Sequence, residues 1–530
     1  MKGLVFTWLL TVVGVSSSIV SPFYGFIAYV ALAILKPDSL WEHSISGGRF
    51  SLIVAMSMLL SWGFRGCGNW NLGRARGITL CFIGFWIWAI LGALTADVPG
   101  PAWFFVEEVA RILLPFLVGI TSIRSVSDLR KLVWVIVLCE GYVCFEMNMW
   151  YFRGYNYLWH VGFAGMDNNS VAIGFVAVLG LCIFLFFSAE NLLQRVVVVV
   201  CAAFIAHAIQ FSFSRGAMLA AVLTSGICFF IMQKTTRHYV LFGGGLLLAL
   251  MVAGPQVRER FLQTFEKKDG KYEASAQSRL DLWKDCYTLF KRDPIMGCGP
   301  NHWPLHAESF GWTPYKEAHS LWVQTATEMG IPGISLLAGF YVLCIWRCFW
   351  MLRSLTPEDD PLLADFARMT IASLCGFGVA AQFVSLETLE IPYYVNLVGA
   401  GTLMLHSRQR RERGRMMEPN SYAIAEPATT GFSNAGFSTA MNVDAADVFS
   451  NAEPRPSFDR SGFFNVETES WATGSTHAAD WRDQIQPGDQ MNQALDDSTS
   501  PSLTVALNEF ETSDGQSDFS HPDSRVGILN

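Results

Sequence analysis

Charge is scarce in this chain: of its 530 residues only 15% are Asp, Glu, Lys or Arg, whereas 52% are hydrophobic. So little charge excludes an ordinary soluble globular domain. No Walker motif, dinucleotide-binding glycine fingerprint or G-x-S-x-G element occurs, which leaves an ATP-driven transporter or an α/β-hydrolase without support. There is no basic patch interleaved with aromatics, and therefore no sign of a nucleic-acid partner. The 12 cysteines include no C-x-x-C pair. Most of them (Cys81, Cys139, Cys182, Cys201, Cys228, Cys344 and Cys375) lie in apolar runs, where cysteine behaves as a small hydrophobe. Only Cys286 and Cys298 share a polar loop, and a bridge between them is one option in an oxidising compartment.

What is abundant is apolar sequence in long runs. Segments able to cross about 30 Å of hydrocarbon lie near residues 50 to 63, 77 to 95, 109 to 123, 132 to 148, 168 to 187, 196 to 213, 216 to 232, 239 to 254, 320 to 345, 369 to 386 and 392 to 406. The first 36 residues form a further apolar element, interrupted by Ser16-Ser17-Ser18 and Ser21-Pro22, and read as a retained anchor because no small-residue cleavage site precedes a soluble domain. The expected fold is all-α, a polytopic membrane protein of about 12 transmembrane helices. Residues 1–406 form its membrane domain, residues 255–318 one large extracytoplasmic loop, and residues 407–530 a disordered acidic cytoplasmic tail.

Sidedness follows from where Lys and Arg fall. Arg65, Arg74 and Arg76, then Arg124, Arg130 and Lys131, then Lys234 and Arg237, and finally Arg408 to Arg415 mark cytoplasmic connections. The stretches around Asp97 to Glu108, Tyr151 to Asp167 and 255 to 318 then face outward. This parity needs an odd number of crossings within residues 1–36 if the N-terminus is inside; a hairpin there gives thirteen crossings and an outside N-terminus. Beyond Met417 the chain holds 18 acidic residues, 4 Arg and no Lys, so the net charge of −8 divides into −14 for the tail and +6 for what precedes it. The acidity therefore says nothing about the membrane domain's ligand. The tail's Ser, Thr, Asn, Asp, Gly and Pro cannot bury enough apolar surface to offset the entropy of ordering.

Four outward-facing features bear groups capable of chemistry. His319 with Ser320 opens a helix that continues to Gly330-Ile331-Pro332-Gly333. A histidine near an outer surface suits a general base because its pKa lies near neutrality, the alternative being an interfacial histidine beside a glycine-kinked helix. Arg279, in Ala274-Ser275-Ala276-Gln277-Ser278-Arg279-Leu280-Asp281-Leu282-Trp283, offers a fork of donors matched to a diphosphate, or a salt bridge to Asp281 or Glu273. Arg215, in Ser212-Phe213-Ser214-Arg215-Gly216-Ala217, stands between two apolar runs, a costly place for a guanidinium without a partner or solvent; reaching to the headgroups is its structural alternative. Asp167-Asn168-Asn169 caps the helix beginning near Ser170, and contact with a sugar would be an addition to that role.

Two weaker signals carry less. His302 and His306 have helical metal-site spacing, but Pro304 interrupts them and no cysteine or carboxylate completes a zinc pattern. Gly297-Cys298-Gly299-Pro300-Asn301 reads as a tight turn because a phosphate loop's lysine and hydroxyl residue are missing.

Taken together, these motifs resemble the O-antigen ligase and polymerase superfamily of bacterial envelope glycosyltransferases. The His319-Ser320 segment, with Gly330 after nine more residues and Gly333 after a further two, is similar to the histidine motif of O-antigen ligases. Arg215 in Ser-Arg-Gly and Arg279 in Arg-x-x-x-Trp resemble the two arginines those enzymes use for the lipid-linked diphosphate. The order of Asp167-Asn168-Asn169, Ser214-Arg215-Gly216, Ala274-Ser275-Ala276-Gln277 and the His319 motif is most like exosortase-associated O-glycosylation ligases. The resemblance spans about residues 1–406. It departs at the long polar tail and at Pro332, where a hydrophobic residue is usual, and neither departure removes a proposed catalytic group.

That resemblance implies a donor glycan on undecaprenyl diphosphate, an acceptor hydroxyl on a lipid, glycan or protein, and an active site on the periplasmic side of a bacterial inner membrane. His319 would be the catalytic base, Arg215 and Arg279 would hold the diphosphate, and Asp167 and Asn168 would contact substrate. The donor brings its own leaving group, so the scheme requires neither a metal nor another cofactor. Block transfer of the oligosaccharide competes with polymerisation onto a second lipid-linked glycan, and with glycan transport. Transport calls for charges buried at mid-membrane and paired discontinuous helices, whereas the notable charges here gather at the outer ends.

Overall fold

A computed structural model describes residues 2–417, with residues 43, 46–47, 233, 253, 256, 258, 260–273 and 386–388 outside the description. The chain is an all-α multi-pass membrane protein; no β-ladder occurs among the described residues beyond one isolated bridge, Phe163 to Met166. Its principal helices are α1 (Lys2–Val20), α2 (Pro22–Leu35), α3 (Phe50–Phe64), α4 (Arg76–Thr95), α5 (Pro99–Ser122), α6 (Val126–Phe152), α7 (Asn168–Ser188), α8 (Leu192–Phe211), α9 (Arg215–Ile231), α10 (Thr236–Val252), α11 (Ala274–Phe290), α12 (Leu321–Arg353), α13 (Pro361–Ala380) and α14 (Glu390–Met417).

Eight spans among the described residues are long and apolar enough to cross a membrane, against the expected count of about twelve. The difference has identifiable causes. Helices α3, α9 and α10 are apolar but only 15 to 17 residues long. Helix α5 carries Glu107, Glu108 and Arg111, and α14 carries Pro392, Asn396 and His406, which lower their apolar character. The first 36 residues form two helices that pack on each other, divided where Ser21 caps α2 and Pro22 occupies its first turn. Two helices packed on each other are what the hairpin alternative expects. The last helix runs through Met417, so the boundary expected after residue 406 falls inside α14. The tail proper, residues 418–530, lies outside the described residues.

Helix α7 is apolar all round and buried along nearly its whole length, as a central helix must be, and α13 packs along it. The same core extends to where Phe82 of α4 stacks on Tyr393 of α14 at 5.0 Å and meets Phe340 of α12 at 4.8 Å. Such offset and edge contacts between rings add to the burial of their area. Asn396 is fully buried in this layer and donates from Nδ2 to the Phe340 carbonyl at 2.9 Å.

The bundle has two chemically different ends, set by helix direction. Helix α12 runs from Leu321, next to His319, to Arg353, and α14 runs from Glu390 to the arginines at 408–415. At about 1.5 Å per residue, the 23 residues of α12 from Ile331 to Arg353 alone span roughly 35 Å.

Candidate functional site at the His319 end

Two helices begin here in the same way. Phe213 (φ 54) and His319 (φ 51) occupy the left-handed region that non-glycine residues seldom adopt. Each is followed by a serine N-cap: Ser214 accepts from the Ala217 amide at 3.4 Å, and Ser320 accepts from the Val323 amide at 3.3 Å. The sharp reversal puts Arg215 on the first turn of α9 and presents His319 just ahead of α12. Backbone strain of this kind persists only where the surroundings enforce it, and here they do.

His319 is held through its neighbours. The Ala318 amide donates to Gln324 Oε1 at 3.1 Å, and the Ala318 carbonyl accepts from Trp283 Nε1 at 2.8 Å. Both groups of the residue preceding His319 are therefore fixed by side chains. Trp283 lies four residues after Arg279 on α11, so the two share one helix face. The Arg-x-x-x-Trp spacing thus has a mechanical meaning: the tryptophan anchors the helix beside His319 and the arginine sits one turn away on that side. The alternative salt bridge does not form with Asp281, which pairs with Lys284 at 2.7 Å and with Gln277; Glu273 lies outside the described residues.

Segment 381–385 ties the two strained corners together. The Leu321 amide donates to the carbonyls of Ala381 and Val384, at 2.9 and 2.7 Å, and the Ser320 amide donates to Ser385 Oγ at 3.1 Å. The same segment offers Phe383 to Gly216, where a side chain would meet the ring at 2.6 Å. The glycine of Ser-Arg-Gly is there because an aromatic ring lies against it. Asn168 adds a further tie, donating from Nδ2 to the Ser212 carbonyl at 2.6 Å, while Asp167 caps α7 by accepting from the Ser170 amide at 2.9 Å. Capping and tethering therefore engage Asp167 and Asn168, and Asp167 is exposed at the surface.

Charges converge at the same place. Burial, then the positive charges of Lys316 and Arg279, push the His319 imidazole down to about 4, and Asp167 opposes them. Burial lowers the Arg279 guanidinium from its usual value, with Asp167 acting in the opposite sense. The carboxyl of Glu317 is pushed up, first by desolvation and then by the negative charge of Asp167. His319 is consequently neutral at pH 7 and faces a cation, Arg279, and an anion, Asp167, from two other elements.

The glycine pair beyond His319 also has a local cause. Gly330 has φ 64 and ψ −166 and breaks α12; a side chain there would overlap the carbonyl of Ile295. The turn at 293–301 docks into the break. The Cys298 and Gly299 amides donate to the Thr327 and Glu328 carbonyls at 3.0 and 2.9 Å, and the Ile331 amide donates to the Pro294 carbonyl at 2.8 Å. The buried Glu328 carboxylate accepts from the amides of Asn301 (2.8 Å) and Trp303 (3.1 Å). Pro332 fits because it lies in the first turn after the break, where a missing amide costs nothing.

His302 uses both ring nitrogens in the same latch, with Nδ1 against the Pro300 carbonyl at 2.8 Å and Nε2 accepting from the Val98 amide at 3.1 Å. Cys286 and Cys298 are free thiols. Sequence reasoning did not identify Gln324, segment 381–385, Lys316 or Glu317 as parts of this site. Lys316 and Glu317 adjoin the His319 motif, so adjacency was an available signal; segment 381–385 reads as the end of an apolar span and offered none.

The fold and the clustered His319 and Arg279 define a multi-pass membrane protein with a built polar site at one end of its bundle. Residues 200–338 match the family model described as O-antigen ligase, a stretch that contains Arg215, Arg279 and His319. This match supports an O-antigen ligase superfamily assignment for that stretch. Residues 1–154 match a second model, described as a family of unknown function (DUF5935). No curated protein matches the chain. An O-antigen ligase domain supports a membrane glycosyltransferase-like role in glycan assembly, with the lipid bilayer and glycan-linked substrates as partners.

Proposed function

We propose that the protein transfers an oligosaccharide en bloc from a polyprenyl diphosphate, undecaprenyl diphosphate in a bacterial inner membrane, to an acceptor hydroxyl on the periplasmic face. In this reaction the acceptor oxygen bonds to the anomeric carbon, the bond from that carbon to the diphosphate oxygen breaks, and the hydroxyl proton passes to His319. Arg279 and Arg215 stabilise the negative charge that grows on the departing diphosphate, the contribution that lowers the barrier most directly. Asp167 balances the two cations and Asn168 holds the corner that carries Arg215.

The observation that carries this reading is the fixing of Ala318 by Trp283 and Gln324, which sets a neutral imidazole beside the helix face bearing Arg279. A base must be unprotonated before it can accept a proton, and burial with two nearby cations keeps His319 so. An arriving diphosphate neutralises those cations, so donor binding raises the imidazole's basicity at the moment it is needed. Purified protein incubated with a polyprenyl-diphosphate oligosaccharide and candidate lipid, glycan and protein acceptors tests the proposal. The expected result is an acceptor that gains the whole oligosaccharide as free polyprenyl diphosphate is released. Release of the diphosphate with stepwise growth of a lipid-linked chain would instead indicate polymerisation, and turnover with none of these acceptors would contradict the reading.

A further inference from the structure

At the opposite end of the bundle, a cleft of about 400 Å³ is lined by Gly73, Arg74, His406, Ser407, Arg410 and Arg411. Its walls are built by close approach. The short turn Gly73–Ala75 lies against α14, the Arg74 amide donates to Ser407 Oγ at 3.3 Å, and a side chain on Gly73 would meet Ser407 Cβ at 2.7 Å. The floor is the fully buried His406, neither of whose ring nitrogens has a hydrogen-bond partner in the protein; its Nε2 lies 3.7 Å from Asp359, beyond hydrogen-bonding reach.

The surrounding charge is strongly positive. Arg410 and Arg413 are engaged with Asp359, and Arg413 also with Glu358. Arg408 donates to the carbonyls of Asn71 and Ile123, and Arg347 donates to that of Arg74. Among the described residues Arg411 reaches an uncharged acceptor, Asn71 Oδ1 at 2.9 Å, and neither Arg74 nor Arg411 has an ion-pair partner there. Two guanidiniums without an ion-pair partner among the described residues, a backbone turn and a buried imidazole therefore surround a space large enough for a phosphate group. Planar guanidiniums match phosphate oxygens in geometry as well as charge, and basic clefts between helices at a membrane face are suited to phosphorylated headgroups.

We propose that this cleft is a phosphate-binding site, separate from the His319 site and independent of glycosyl transfer, that takes the phosphate of an anionic phospholipid headgroup or a free phosphate ion. The full chain in a neutral detergent would be titrated, at constant ionic strength, with short-chain phosphatidylglycerol, phosphatidylcholine or inorganic phosphate while its thermal unfolding midpoint is followed. Phosphatidylglycerol is expected to raise the midpoint saturably, and net-neutral phosphatidylcholine is expected not to. The variant Arg74→Gln with Arg411→Gln should need on the order of tenfold more ligand for the same shift. Arg65→Gln, a basic position outside the cleft, should respond as the parent does. Should the double glutamine variant fail to fold, Arg74→Lys with Arg411→Lys keeps the charge, loses the fork and is expected to bind with intermediate strength. Saturation by inorganic phosphate as well as phosphatidylglycerol identifies the phosphate alone as sufficient; saturation by the lipid only identifies the headgroup. No response to either anion, or the same response in the cleft variants as in the parent, overturns the proposal.

Discussion

The two ends of the bundle both carry arginine and histidine, and they use them in opposite ways. At the basic end, Asp359 is almost completely buried, accepts from the Thr356 amide at 2.9 Å and from Thr356 Oγ1 at 3.1 Å, and is met by Arg410 and Arg413. Charges there are largely spent on holding the α12–α13 connection to α14. At the His319 end, hydrogen bonds go to the residues around the histidine, through Ala318, Ser320 and Leu321. Fixing the frame while leaving the imidazole to be tuned by charge is what separates a site from a strut. Hence substitutions at Asp359 and its partners should act on stability, and substitutions of the side chains that position His319 on transfer.

The largest effect is expected at Gly330. Alanine there must adopt φ near +64 and overlap the Ile295 carbonyl, which would undock the 293–301 turn and cost roughly 3 kcal/mol or more. Denaturant unfolding should show that loss together with loss of transfer. Next, Arg279→Ala should weaken binding of the diphosphate donor by on the order of tenfold to a hundredfold, the scale of a charge-assisted contact, with Arg279→Lys intermediate because it keeps the charge but not the fork. Equilibrium binding of a labelled donor reads both variants; parent-like binding in Arg279→Ala would remove it from the site.

Asp359→Asn sharpens the contrast from the other end. Hydrogen bonds from Thr356 and Arg413, with the positive charge of Arg413, hold the Asp359 carboxyl well below the usual range despite its burial. A depressed carboxyl contributes stability that is present above its unfolded pKa and is lost as pH falls toward the folded value. The asparagine variant should therefore lose roughly 1.5–3 kcal/mol at neutral pH and retain transfer per folded molecule. Trp283→Phe is the mildest case. It removes only the donor to the Ala318 carbonyl, so transfer should fall by about fivefold to tenfold, corresponding to about 1 kcal/mol, with donor affinity unchanged. Equal loss of donor binding would show that Trp283 does more than position His319.

The pH profile carries the same logic. With His319 held near 4 in the free protein, kcat/KM should stay level from about pH 8 down to about 5 and fall as the imidazole becomes protonated. Because the folded value is depressed, the stability from keeping this imidazole neutral is intact above about pH 6.5 and is lost as pH falls toward 4. Lys316→Gln removes one of the charges that lowers the value and should move the acid limb to higher pH.

Much of this was legible in the sequence. The apolar runs became helices, and the match over residues 200–338 covers the arginine and histidine motifs whose order suggested the superfamily. What could not be read was long-range. The run 369–386 looks like one span because Phe383 and Val384 are apolar, yet α13 ends at Ala380 and the residues after it receive the first amides of α12. Gly216 and Gly330 stood out as motif members, but only the fold shows that Phe383 and the Ile295 carbonyl occupy the space a side chain would need. Residues 407–417 looked like the start of a polar tail because five arginines follow His406, and their carbonyl and carboxylate partners lie in three other connections. Local composition reports which residues are apolar, not which distant backbone group will satisfy the polar ones.

His319 itself is the point on which the account stands. Donor binding and oligosaccharide transfer should be measured side by side on one preparation of folded His319→Ala protein. Donor affinity should stay close to that of the parent, because the arginines remain, and transfer should fall by roughly a hundredfold or more, the usual scale for a lost general base. Transfer at near-parent rate by His319→Ala would contradict a general-base role for His319.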